Sequence, residues 1–131
     1  MKTKSDKNNN IFELANPETQ FGQIDTFTSS HNVFSVRITD RKLLPVTKLI
    51  FNRTLYHEGP MYWKGVNFRV GDINEFSYLK QCHGFTEDYI LFIATTEQNI
   101  DIKILAFMAY RLEGKEETVE IHPLNVEKYI K

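Results

Sequence analysis

The sequence predicts an α+β fold: a single domain built on a mainly antiparallel sheet of five to seven strands, with one principal helix at about residues 86–97. Three observations lead there. Segments rich in β-branched and aromatic residues recur along the chain, as at Val33–Thr39, Thr47–Tyr56 and Ile100–Leu112. Turn residues separate them at short spacing, which favours antiparallel neighbours. Gly84 to Glu97 carries the signals of a helix start. A chain of 131 residues, 41% hydrophobic, can bury a continuous core as one domain without disulfides or metal.

Residues 1–10 are polar and are expected to form a disordered tail, with the folded domain spanning 11–131. Ile11–Ala15 has the apolar content to dock as a short helical turn before Asn16-Pro17 stops it. Residues 16–32 read mostly as loop with one short strand among Phe21, Ile24 and Phe27. Val33–Thr39 is a strand, Asp40-Arg41-Lys42 a turn, and Pro45 keeps Leu43-Leu44-Pro45 out of a central strand. Thr47–Tyr56 is the next strand, followed by a turn at His57-Glu58-Gly59-Pro60. Met61-Tyr62-Trp63 and Val66–Val70 flank Lys64-Gly65 as the arms of a hairpin.

Ile73–Gln81 is open to two readings. Asp72 or Asn74 could cap a short helix, whereas Phe76, Tyr78 and Cys82 alternate as a strand does, and extended chain is the expectation. Gly84 then marks a turn. Thr86 stands as N-cap with Glu87 and Asp88 in the first turn, and Phe85 and Ile90 have the spacing of a hydrophobic staple. Ile100–Leu112 is a long strand, Glu113–Glu116 a hairpin loop, and Thr118–His122 the returning strand that Pro123 ends. Leu124–Ile130 reads as a terminal helical turn with Leu124, Tyr129 and Ile130 available to dock.

A single cysteine, Cys82, excludes an intramolecular disulfide. The N-terminus lacks a secretory h-region and no apolar run reaches the length of a membrane span, so a cytoplasmic protein is expected. The net charge of −1 hides an asymmetry: residues 1–71 hold ten Lys and Arg against six Asp and Glu, and residues 72–131 hold six against eleven. The second half therefore offers an acidic surface to a basic partner, the plain alternative being a solvated face.

Little in the chain points to catalysis. Cys82 beside His83 suggests a nucleophile and base, but a dyad would need His31, His57 or His122 folded in, and a buried structural thiol explains Cys82 more simply. The histidines lack metal-ligand spacing, and no glycine-rich phosphate loop occurs. No enzyme activity and no cofactor are expected. Tyr62, Trp63, Phe68 and Arg69 interleave aromatic and basic side chains, the composition of a ligand or nucleotide pocket, although aromatics alternating on a hairpin also make one face of a core. Nucleic acid is not the expected partner. Candidate acidic contacts to a protein are Glu97 and Asp101, with Glu113, Glu116, Glu117 and Glu120 around the last hairpin.

At Cys82-His83-Gly84-Phe85-Thr86-x-Asp88-x-Ile90 the sequence resembles immunity proteins of contact-dependent growth inhibition systems, especially those that neutralise ribosomal-RNA-cleaving toxins. Lys80-Gln81 stands where that pattern has an acidic or polar pair, and the later apolar pair is shifted by one residue, at Phe92-Ile93. The resemblance covers about a dozen residues and extends loosely to Val66–Val70 and Ile102–Ile104. It implies a sheet-rich α+β fold and a cytoplasmic inhibitor that binds the cognate toxin's C-terminal domain. No toxin-contacting residue carries over from it.

Overall fold

Polarity that alternates with a period of two builds most of this chain into strands. The computed structural model describes residues 9–28, 32–39, 47–84 and 89–130. Its strands are β1 (Phe21–Thr28), β2 (Val33–Thr39), β3 (Thr47–Glu58), β4 (Tyr62–Lys64), β5 (Phe68–Val70), β6 (Ile90–Thr95), β7 (Asp101–Glu113) and β8 (Glu116–Ile121). One α-helix, α1 (Ile73–His83), lies between β5 and β6, and a 3-10 turn spans Val126–Tyr129. The strands form one antiparallel sheet in the order β4-β1-β2-β3-β7-β6-β5, with β8 paired to β7. Among the described residues the domain is mostly β, with a single α-helix laid on the sheet.

β7 is the spine of this sheet. Residues 103–113 pair with β3, while 101–106 pair with β6 and 109–113 with β8. A strand has two edges, so β6 and β8 follow one another along the same side of β7. The sheet also curls back on itself. Its terminal strands β4 and β5 are separated in sequence only by residues 65–67, and beside them the Glu97 amide donates to the Lys64 carbonyl at 2.8 Å. Gly65 makes this link at φ +106°, where a Cβ would stand 3.2 Å from the Thr95 carbonyl oxygen. β4 and β5 are therefore not the two arms of a hairpin, because each finds a longer partner, β1 and β6 respectively.

The inner face carries Phe34, Val36 and Ile38 from β2, Leu49 and Phe51 from β3, and Ile102, Ile104 and Ala106 from β7. Phe12 closes it from the N-terminal segment, packing its ring against Phe51, Phe68 and Phe92 at centroid distances of 6.0, 5.8 and 5.9 Å. The segment that delivers Phe12 is a turn with left-handed residues at Asn10, Glu13 and Asn16. Asn10 belongs to the fold: it is 2% exposed, its amide donates to Asn67 Oδ1, and its side chain bonds the Leu14 backbone in both directions. Arg111 fastens the same segment, its Nη1 donating to the Phe12 and Glu13 carbonyls at 2.9 and 2.7 Å. The short strand expected among Phe21, Ile24 and Phe27 is the full eight-residue β1, since β2 pairs along its length and β4 takes the other edge at Phe21–Gln23.

The helix lies elsewhere than expected. Residues 73–83 are helical because Asp72 and Glu75 form a reciprocal capping box, with both cap hydrogen bonds at 2.8 Å. Gly84 ends the helix in the left-handed conformation at φ +69°, its amide donating to the Lys80 carbonyl. Phe76 and Leu79, three residues apart, face Leu91, Ile93 and Leu105 on the outer side of the sheet. The expected helix at 86–97 is replaced by β6. Ile90, Phe92 and Ala94 point into the inner core while Leu91 and Ile93 meet α1, so this strand is buried on both faces and reads as an unbroken apolar run. Phe85 to Asp88, with the proposed Thr86 cap, lie outside the described residues, as do Asp40-Arg41-Lys42 and Leu43-Leu44-Pro45. The terminal turn docks Tyr129 against the core, but Leu124 is 93% exposed.

Candidate functional site

Of the stretch that carries the family resemblance, Cys82 and His83 end α1, Gly84 caps it and Ile90 opens β6. Gly84 serves its left-handed φ, since nothing lies within 4 Å of where a Cβ would stand. Cys82 is exposed at the end of α1, which overturns the expectation of a buried thiol. Around it lie Tyr78, whose hydrogen bond with Cys82 raises its pKa, and His83, whose ring lies 4.6 Å from that of Tyr56 at a tilt of 43°. The Tyr56 hydroxyl donates to Glu58 at 2.6 Å, and this bond, aided by burial, pushes its pKa to about 12.

The remaining described histidines occupy separate places. His57 shares the inner face with its partner Ile104 and contacts the Phe34 ring at 5.0 Å; burial pushes its pKa down. His122 accepts from the Leu124 amide through Nδ1 within the terminal turn. His31 lies outside the described residues. Among the described residues no group of three or more His, Cys, Asp or Glu side chains is arranged to hold a metal.

The aromatic and basic candidates part company. Phe68 is fully buried in the inner core, and Trp63 is 4% exposed and packs against Gly22. Tyr62 stays exposed, stacked on Phe21 at 5.4 Å and 11°. Arg69 turns to α1 and makes two 2.8 Å bonds to Glu75, holding that carboxyl at about 2 and raising its own pKa. β4 and β5 belong to opposite ends of the strand order, and their alternating side chains point to different faces.

The acidic candidates form two groups at opposite ends of β7, separated by about 40 Å along the strand. Asp101 accepts from the Thr95 hydroxyl at 2.8 Å, and Glu97 pairs with Lys64 at 3.5 Å. At the other end the hairpin sorts its acids by face. Glu113 and Glu116 are opposite one another on the side of Arg111, which lies 3.8 Å from Glu113. Glu117 and Glu120 oppose Leu112 and Tyr110 on the outer side, where burial and then these two charges raise the Tyr110 pKa. Glu116, Glu117 and Glu120 are exposed and, among the described residues, have no cationic side chain within ion-pair distance. A hairpin of this kind attracts a basic surface over roughly a Debye length, about 8–10 Å at ordinary salt.

A cleft that the sequence did not signal opens beside the β5–α1 junction. It measures about 420 Å³ and runs from Ile73 and Phe76 of α1, past Tyr89, to Val126 and Ile130 of the terminal turn. Its residues come from three separate stretches of chain, so no local pattern announces it.

Among the described residues no helix is long and apolar enough to cross a membrane. No protein-family model, curated protein or solved structure matches the chain.

Proposed function

We propose that this protein is an immunity protein: a cytoplasmic, non-enzymatic inhibitor that binds the C-terminal domain of a cognate toxin, a nuclease being the kind of toxin its acidic surface suits. The observation that carries the reading is the β7–β8 hairpin, where Glu116, Glu117 and Glu120 stand without cationic partners among the described residues. Such a patch steers a basic protein into encounter and mimics the charge of a nucleic-acid substrate. The resemblance at Cys82–Ile90 supports the same reading, and the exposed Cys82 and His83 lie at a surface a partner could reach. A small-ligand site built from Tyr62, Trp63, Phe68 and Arg69 is the weaker reading, because those side chains face different surroundings.

The test is co-expression with the C-terminal domain encoded immediately upstream of the gene. Growth restored by this protein is the expected outcome, and toxicity without relief counts against immunity to that domain. Reversing Glu116, Glu117 and Glu120 to lysine should then slow association on the order of tenfold or more at low salt and flatten the salt dependence. Unchanged rate and salt slope would remove the hairpin from the mechanism.

A further inference from the structure

We infer that the cleft beside the β5–α1 junction receives an apolar side chain followed by a lysine or arginine, presented by the partner protein. The inference rests on reading the chain as a partner-binding module and names the feature of the partner that the module grips.

The walls are apolar and aromatic: Ile73, Phe76, Tyr89 and Ile130 surround a space of about 420 Å³. That volume lies in the range of small-ligand pockets and accommodates a dipeptide-sized group. Ile73 is 71% exposed and Ile130 39%, so apolar surface remains in contact with water at the mouth. Covering it is favourable, because apolar surface leaves water.

Charge decides which apolar group fits. Asp72 and Glu127 stand at the rim, and no lysine, arginine or histidine is among the lining residues. Asp72 caps α1, its carboxylate accepting from the Glu75 amide, so the positive end of the helix and the nearby Arg69 offset part of its charge, and Glu127 is the carboxylate left uncompensated. Glu127 has no cationic partner among the described residues, and the neighbouring Lys128 ammonium sits 5.5 Å over the Tyr129 ring. A cation carried beside an apolar anchor meets the Glu127 carboxylate, with Asp72 also lining the space and no lysine, arginine or histidine among the lining residues to be displaced. An anionic group would meet the same carboxylates as repulsion.

The experiment titrates the full-length protein with N-acetyl-Phe-Arg-amide and with N-acetyl-Phe-Glu-amide, following backbone amide resonances. Saturable shifts at Gly71, Ile73, Tyr89 and Val126 are expected with the arginine peptide, and binding at least tenfold weaker with the glutamate peptide. Glu127→Lys lies on an exposed side chain and should weaken the arginine peptide at least fivefold while the spectrum stays dispersed. Ile73→Lys should do the same and provides a second variant outside the capping box. Equal binding of the two peptides, absence of saturable shifts, or shifts confined to other residues would overturn the inference. Because no toxin enters this titration, its outcome is independent of growth rescue: rescue without peptide binding removes the cleft alone, and peptide binding without rescue removes immunity to the toxin tested.

Discussion

Phe12→Ala tests whether the N-terminal segment is part of the core. Phe12 is fully buried and meets three rings at centroid distances of 5.8 to 6.0 Å, two of them edge-on. Truncating a buried phenylalanine to alanine removes its transfer free energy and leaves a cavity, together about 3–5 kcal/mol. A domain of this size is stable by about 5–15 kcal/mol, so the change consumes a large share. With a urea slope of about 2 kcal/mol per molar, the midpoint should fall by about 2 M. Urea unfolding followed by circular dichroism and by Trp63 fluorescence reads it. Leu124→Ala, at a side chain 93% exposed, should leave the midpoint nearly unchanged and serves as the control. Should Phe12→Ala fail to fold, Phe12→Leu provides a milder step with a smaller shift in the same direction. A shift under 0.5 M for Phe12→Ala, on the order of 1 kcal/mol at that slope, would refute the packing argument.

The Arg69–Glu75 pair predicts an acid-side loss of stability. Glu75 is held at about 2 against an ordinary 4.5, so its contribution is complete above 4.5 and disappears as pH falls towards 2. Arg69→Met should reduce the slope of urea midpoint against pH in that window, and an unaltered slope would show the pair to be inconsequential. His57, pushed below 6.5 by burial, adds stability that is present above 6.5 and declines as pH falls through the depressed value. His57→Gln should flatten the profile just below 6.5, as the same titration would reveal. Gly22→Ala places a methyl 2.6 Å from Trp63 Cζ2, and overpacking of this kind costs about 1–3 kcal/mol. A thermal midpoint within a degree of wild type, with unchanged Trp63 emission, would mean that the indole yields without cost.

Much of the sheet was legible from local pattern. Val33–Thr39 alternates in part, with Phe34, Val36 and Ile38 on one side, and is β2 at the expected bounds; Thr47–Tyr56 is β3 extended by two residues; and the hairpin around Gly114 joins β7 to β8. The acidic character of that hairpin was equally readable, because charge is a property of composition. The cleft was not, since its walls are assembled from residues 70–76, 89–91 and 123–130.

By itself, the sequence determined the predominance of antiparallel strands, the turn at Gly114 that joins the last two, and the acidic composition of the second half. Tertiary structure alone decided where the helix sits. Ile90–Thr95 is apolar at nearly every position, which suits a buried helix and a strand covered on both faces equally well, and only packing between α1 and the inner core selects the strand. Ile73–His83 exposes most of its surface and buries only Leu79 fully, so its apolar periodicity is weak and its capping box carries the local signal. The hairpin expected at 61–70 failed for a related reason. Two three-residue strands gain less by pairing with each other than by completing the edges of longer neighbours, and sequence distance does not record which edges the curled sheet brings near.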